Sequence, residues 1–152
     1  MKKSSTLASC LLGLCLLGNV APAKAGVTYL TCTLNQKSLL RSLRWSAWSP
    51  FPNGGSRILK FTLSEDNQSG SVFDEKTGKV TKLPFVTFQP ETILAKNSSN
   101  IGVSNANGDP TETYTISRTD GSVIKKDVII PGSLEIKMAG QCVKSERKQT
   151  LF

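Results

Sequence analysis

Residues 59–63 read Leu-Lys-Phe-Thr-Leu, so that apolar side chains at Leu59, Phe61 and Leu63 alternate with polar ones. Successive side chains of a β-strand point to opposite faces, and this pattern is therefore typical of a strand with one buried face. The same alternation recurs in residues 30–34, 113–117 and 134–138. The runs are rich in Thr, Val and Ile, which favour strands.

Turn signals separate these runs at the spacing of β-hairpins, in residues 67–70, 76–78, 119–121 and 131–133. Each contains Gly, which tolerates the positive φ angles that tight hairpin turns require. The connections are short and sequential, and crossover helices are almost absent. The sequence therefore predicts an all-β fold, an antiparallel meander of about seven to nine strands closed as a small barrel or folded as a sandwich.

The sequence of residues 35–48 fits both the period of a helix and the two-residue period of a strand. As a helix, the segment places four apolar side chains on one side and basic residues such as Arg41 and Arg44 on another. As a strand, it alternates from Leu43 onward. We expect one short helix or an irregular loop near residues 36–48, packed over one barrel end, with a strand as the alternative.

The first 25 residues have the layout of a secretory signal. Lys2 and Lys3 precede an apolar stretch, and Ala23-Lys24-Ala25 offers small residues for cleavage. We expect residues 1–25 to be removed, leaving one β domain of residues 26–152 with a basic C-terminal tail, periplasmic or secreted from a bacterium. Lipid attachment at Cys10 is the lesser alternative, because the most apolar run follows that residue.

Export changes the cysteine count and the net charge. Two of the four Cys leave with residues 1–25, and the formal net charge falls from +8 to +5 because three Lys leave as well. Cys32 and Cys142 remain near the two ends of the domain. In an oxidising compartment they are expected to form one disulfide.

Three short motifs resemble those of a loose class of small exported bacterial proteins of uncharacterised function. They are Leu30-Thr31-Cys32, the hairpin Ile116-Ser117-Arg118-Thr119-Asp120-Gly121, and Gly140-Gln141-Cys142. The resemblance implies a compact β fold with a Cys32–Cys142 bond and carries over no activity. Residues 35–56 lie outside it and look like an insertion.

Several chemistries are excluded or weakly supported. The chain has no His, which removes His-dependent nucleophiles, His-ligated zinc and His acid–base catalysis. No nucleophile elbow, phosphate-binding glycine loop or calcium-loop spacing occurs. The acidic neighbours Glu65-Asp66 and Asp74-Glu75 flank predicted turns, and we expect both pairs to be solvated. We therefore expect no enzyme, no metal and no cofactor.

One segment combines cations with flat aromatic surface. Such a mixture can hold an acidic partner through charge and cation–π contact. We expect an unknown protein or an envelope polyanion to bind there, whereas export disfavours nucleic acid. The alternative is structural, with Trp45 capping the core and the arginines reaching outward. The candidate site comprises Lys37, Arg41, Arg44, Trp45, Trp48 and Arg57.

Two other functions remain open. A small barrel could carry an apolar ligand in its interior, in a cavity lined by Leu59, Phe61, Leu63, Tyr114 and Ile116. An enzyme of unfamiliar type would need two carboxylates that face each other across a cleft.

Overall fold

The computed structural model describes residues 26–98, 110–131 and 133–146 of the chain. Within these ranges the 3-10 turn Pro52–Gly54 is the only helical element, and the all-β prediction is confirmed. The strands are β1 (Val27–Arg41), β2 (Arg44–Trp45), β3 (Ser49–Pro50), β4 (Arg57–Ser64), β5 (Ser69–Asp74), β6 (Lys79–Leu83), β7 (Phe85–Phe88), β8 (Thr92–Lys96), β9 (Thr111–Ser117), β10 (Ser122–Ile130) and β11 (Leu134–Lys144).

Nine of these strands form the wall of a barrel. They follow one another in the order β6-β5-β4-β1-β11-β10-β9-β8-β7, while β2 and β3 pair only with β1. The ends of this order, β6 and β7, are consecutive in the chain and are separated by Pro84. Just past Pro84, the amide of Val86 donates to the carbonyl of Gln68 at 2.8 Å. The antiparallel sheet is therefore nearly closed as a barrel rather than folded as a sandwich.

The alternation seen in the sequence builds the core. Leu59, Phe61 and Leu63 are each almost fully buried, whereas the two polar residues between them are exposed. Phe61 packs edge-to-face against Tyr114 of β9, with ring centroids 5.1 Å apart. Because such side chains come from most of the wall strands, they fill the middle of the barrel.

The predicted disulfide is present. Cys32 in β1 lies directly opposite Cys142 in β11, and the two sulfur atoms are bonded. Both residues are buried in the hydrophobic core. The bond joins the first and last strands of the barrel at the point where they pair.

The helix expected near residues 36–48 was wrong, and the strand alternative was closer. β1 continues to Arg41 after a bulge at Asn35, and it pairs with β11 throughout. Ser42 and Leu43 then adopt positive φ angles of 49° and 65° and close a two-residue hairpin to β2. Pairing with β11 satisfies the backbone hydrogen bonds of residues 36–41, and this outweighs the helical period of the local sequence.

Some sequence predictions fall on residues outside the described ranges. These are the signal segment 1–25 with the alternative lipid site at Cys10, Gly132 of the predicted turn 131–133, and the last tail residues, 147–152. They stay predictions. No helix in the described part of the chain is long and apolar enough to cross a membrane.

Gly140 marks the closest approach between β1 and β11. It lies opposite Leu34, and a Cβ atom there would overlap the Thr33 carbonyl oxygen and lie 2.7 Å from the Leu34 Cα. Gly140→Ala is therefore expected to lower the free energy of unfolding by about 3 kcal/mol in urea denaturation. Gly78→Ala is the control, since a Cβ at Gly78 has open space and only its positive φ opposes alanine, at about 1 kcal/mol. An equal loss in both variants would contradict the close approach.

Candidate binding surface and interior charge cluster

The end of β1 forms, with β2 and β3, a hairpin that extends past the barrel. β1 pairs with β4 only as far as Leu34, and beyond the bulge it pairs with β3 and β2 instead. From Leu34 it continues to Arg41, about 20 Å at the rise of a strand. Every residue from Arg41 to Pro50 is exposed. We call residues 36–50 the Trp/Arg hairpin.

The Trp/Arg hairpin carries most of the residues predicted as a binding site. Arg41 and Arg44 are exposed and lie directly opposite each other across the β1–β2 ladder. Trp45 is 39% exposed and Trp48 is 45% exposed, and these are the only tryptophans in the chain. Lys37 is half-buried at the base of the hairpin. The alternative in which Trp45 is buried as a cap on the core does not describe this arrangement.

Arg57 lies elsewhere. Its guanidinium points into the end of the barrel, where Nε donates to Asp74 Oδ2 at 2.7 Å and Nη2 bonds the same oxygen. Its side chain is 25% exposed. The predicted cluster is therefore divided, and Arg57 belongs to an interior ion pair.

Lys137 joins the hairpin without having been predicted. Its Nζ lies 4.1 Å from the centroid of the Trp45 ring, a cation–π contact made from β11. Leu40 pairs with Trp45 on one side and with Glu135 on the other, which brings the two strands into reach. The alternation of β11 indicates from the sequence that Lys137 points outward from the core. Its contact with Trp45 could not be predicted, because that contact depends on the register of three strands.

No acidic residue close in sequence balances the positive charge of the Trp/Arg hairpin. The first acidic residue of the chain is Glu65, so that residues 36–50 contain Lys37, Arg41 and Arg44 and no carboxylate. Glu135 on the adjacent strand is buried and bonds Lys126 at 2.7 Å. The arginines therefore create a local positive potential, which attracts anionic partners.

Exposed aliphatic side chains surround the end of the hairpin. Leu43 in the β1–β2 turn is 80% exposed, while Ile129 and Ile130 before the β10–β11 turn are 41% and 53% exposed. Ile130 pairs with Leu134, which in turn pairs with Arg41, so the two turns are neighbours at one end of the molecule. We call Arg41, Leu43, Arg44, Ile129 and Ile130 the tip patch. The sequence analysis missed its aliphatic members; the visible signal was the unbroken apolar run before Pro131.

A second polar arrangement lies inside the barrel, at the end that the hairpin extends from. Lys125 is 2% exposed in its side chain, and its Nζ lies 2.6 Å from Asp127 Oδ1 and 3.3 Å from Glu112 Oε1. The Tyr114 hydroxyl donates to Glu112 Oε2 at 2.6 Å. Together with the Arg57–Asp74 pair these groups form the charge cluster. Each of its three carboxylates therefore contacts a cation.

Burial and charge shift the pKa values in the charge cluster. Desolvation, with a further contribution from Glu112, raises the pKa of Asp127, although Lys125 opposes the rise. Burial by itself would raise the pKa of Asp74, but hydrogen bonds and charge attraction from Arg57 hold it below its ordinary value. Desolvation and the neighbouring Glu112 raise the pKa of Tyr114, which keeps it neutral at physiological pH.

Asp74 corrects the expectation that both acidic pairs are solvated. It is 6% exposed and faces the interior because it is in phase with Val72, whereas its neighbour Phe73 points outward. Glu65, Asp66 and Glu75 are exposed as expected. The turn next to Asp74 did indicate solvent, but the strand period determined the direction of the side chain.

Asp74→Asn is expected to lower the free energy of unfolding by about 2 kcal/mol at pH 7, because Arg57 loses a charged acceptor. The pKa of Asp74 is lowered in the folded state, so the wild type keeps this stabilisation above the ordinary carboxyl pKa and loses it as the pH falls through the lower, folded-state value. The difference between the two proteins should therefore shrink below about pH 4.

Urea denaturation from pH 7 to pH 3 measures this difference. Glu75→Gln is the matched control, because its ion pair with Lys60 is exposed on both sides and should contribute less than about 1 kcal/mol. A difference between wild type and Asp74→Asn that stays constant down to pH 3 would refute the role of the Asp74 charge.

Two cavities lie at opposite ends of the barrel. One, of about 260 Å³, includes Leu30, Phe88, Ile93 and Ile116 among its lining residues. The other, of about 210 Å³, opens onto the charge cluster. Of the five residues expected around a ligand cavity, Ile116 lines the first, Leu59 and Tyr114 line the second, and Phe61 and Leu63 line neither. Both cavities are smaller than the roughly 300–1,000 Å³ typical of small-molecule pockets.

Comparisons with known proteins found no relative of this chain. No family model, no curated protein and no solved structure matches this chain. In the described ranges no group of three or more potential ligand side chains could hold a metal ion. The class of protein established by the structure is therefore a one-disulfide, nearly closed β-barrel.

Proposed function

We propose that this protein is an exported, non-enzymatic binding domain that contacts its partner through the Trp/Arg hairpin. The observation that carries the proposal is the exposure of Trp45 and Trp48 beside Arg41 and Arg44, with no carboxylate in the same segment. Large aromatic and arginine side chains contribute most to binding energy at interfaces. The Cys32–Cys142 bond supports export, because disulfides persist in oxidising compartments outside the cytoplasm.

The partner is an acidic protein or a polyanion of the cell envelope. Arginine donates several hydrogen bonds in a planar fork that suits carboxylates and phosphates. Tryptophan adds flat apolar surface that also accepts sugar rings and acyl chains. The resemblance to small exported one-disulfide domains agrees with this proposal and assigns no activity.

The carrier alternative has less support. Its best candidate is the cavity of about 260 Å³, which combines apolar lining residues with Glu65, Arg118 and Lys144. This volume is small for a ligand pocket, and the middle of the barrel is filled by Phe61 against Tyr114. A surface site requires no rearrangement of that core.

Arg44→Ala with Trp48→Ala is expected to abolish retention of the partner, because it removes one exposed cation and one exposed aromatic from the Trp/Arg hairpin. The measurement is capture from a bacterial envelope extract, split into membrane and soluble fractions, on immobilised protein. Arg118→Ala with Val143→Ala is the matched control, since it removes a cation and an exposed apolar residue at the other barrel end. Equal recovery of every component by all three proteins would disprove the site.

A further inference from the structure

We propose that the tip patch inserts into the interface of an anionic lipid bilayer, so that the partner of the Trp/Arg hairpin is a membrane surface. This inference rests on the proposed function and names the partner class. It adds Ile129 and Ile130 at the end of β10, which the sequence had not placed in a site.

The strand registers arrange the side chains in layers. Leu43, in the β1–β2 turn, is outermost. Behind it, Arg44, Arg41, Leu134 and Ile130 form one row across four strands, from the pairs Arg41↔Arg44, Arg41↔Leu134 and Ile130↔Leu134. The next row contains Trp45 opposite Leu40. Leu43 thus comes first, the two arginines share the second row with Ile130 and Leu134, and Trp45 comes third, on the opposite face of the ladder from Arg44.

This order matches the layers of a lipid interface. Aliphatic side chains gain free energy by leaving water for the acyl boundary, in proportion to the apolar area that they bury. Arginines just behind them are at the depth of the lipid phosphates, to which each cation contributes about 1 kcal/mol when the surface is anionic. Tryptophan concentrates at the boundary between headgroups and water.

Charge and shape favour a bilayer over an acidic protein. The row behind the turns carries two arginines, and residues 128–134 contain no charged side chain, so nothing repels an anionic surface. Leu43 lies in the β1–β2 turn and Ile130 ends β10, and both side chains are exposed. A stable protein interface needs about 800 Å² of complementary surface on each partner, whereas a fluid layer accommodates exposed aliphatic side chains without a shaped pocket.

The two tryptophans provide an intrinsic fluorescent probe of binding. Both tryptophans belong to the Trp/Arg hairpin, so intrinsic fluorescence reports on this surface alone. The full chain is expressed in a bacterium, and the exported form is recovered after its N-terminus has been determined by mass spectrometry. Binding is measured by co-sedimentation and by Trp emission with phosphatidylcholine vesicles, either pure or with about 30% phosphatidylglycerol.

We expect binding to the anionic vesicles at least about tenfold tighter than to pure phosphatidylcholine, with a blue shift of the emission. Arg41→Gln with Arg44→Gln should weaken this binding about 30-fold. Leu43→Ser with Ile130→Ser should weaken it about tenfold, because both side chains lose apolar burial. Since all four residues are exposed, thermal unfolding should be nearly unchanged.

Two control variants lie away from the tip patch. Ile124→Ser with Val143→Ser removes two exposed aliphatic residues from the barrel wall, and Arg118→Gln with Lys144→Gln removes two cations from the opposite barrel end. Both should bind the anionic vesicles within about twofold of the wild type. A loss in these controls equal to that in the tip variants would overturn the assignment of the tip patch.

Three further results would overturn the proposal. In the first, the wild-type protein binds neither kind of vesicle but retains a soluble envelope component through Arg44 and Trp48. The proposed function would then stand, and the bilayer would be ruled out as the partner. Full vesicle binding by Leu43→Ser/Ile130→Ser would show that charge alone holds the protein at the lipid surface and would remove the insertion. A dimer in sedimentation without lipid, dissociated by the same substitutions, would assign the tip patch to a second copy of the chain.

Discussion

Cys32→Ala with Cys142→Ala is expected to lower the free energy of unfolding by about 4–5 kcal/mol. The bond closes a loop between residues 110 positions apart in sequence, and cross-linking a loop of that size removes much of the entropy of the unfolded chain. Alanine leaves the buried site apolar, so that the change reports mainly on the lost cross-link. Small domains have a total stability of only about 5–15 kcal/mol, and the variant should therefore unfold at much lower denaturant concentration.

Guanidinium denaturation of the oxidised wild type and the variant measures this effect. The wild type unfolded in the presence of a thiol reductant is the control, and it should match the variant, because both lack the cross-link in the unfolded state. A loss of less than about 1 kcal/mol would contradict this account. It would mean that β1 and β11 hold the barrel together through their ladder alone.

Lys125→Met is expected to lower the free energy of unfolding by about 3–5 kcal/mol at pH 7, because it leaves the buried Asp127 and the partly buried Glu112 without their shared cation. Methionine retains most of the side-chain volume, so packing changes little. The burial that already raises the pKa of Asp127 would then act without the opposing charge of Lys125. A carboxyl with a raised folded-state pKa favours folding at low pH and loses that contribution as the pH rises through the raised value. The deficit should therefore be larger at pH 8 than at pH 5.

Lys60→Met is the matched control, because the side chains of this lysine and of its partner Glu75 are both exposed. It should lose about 1 kcal/mol or less. Lys125→Met with Asp127→Asn should regain part of the loss, since one uncompensated charge is removed. Similar losses for Lys125→Met and Lys60→Met, independent of pH, would show that the charge cluster does not act as a unit.

The strands could be predicted because their signal is local. Leu59, Phe61 and Leu63 recur at every second position, which is enough to assign a strand with one buried face. The disulfide followed from counting cysteines in a chain expected to be exported and needed no geometry. The order of strands followed from short connections, which favour pairing of neighbours.

The course of residues 36–48 depended on contacts that are distant in sequence. A leucine-rich segment fits both a helical and a strand period, and the ladder from Gln36 to Arg41 along β11 resolved the choice. The same ladder placed Lys137 over Trp45, a contact between residues 92 positions apart. Arg57 left the predicted cluster for a related reason, since β4 pairs with β5 and brings it to Asp74.

The amino-acid order was sufficient for the class of fold, its turns and its cross-link, because these depend on the two-residue period of a strand and on composition. The closed sheet determined which charged side chains lie inside the barrel. Once Val123 and Val72 point inward, Lys125 and Asp74 must follow them, and each is paired with a charge on a neighbouring strand, Glu112 and Arg57 respectively. The neighbouring turns of the tip patch likewise arise from register, a long-range property that no local pattern contains.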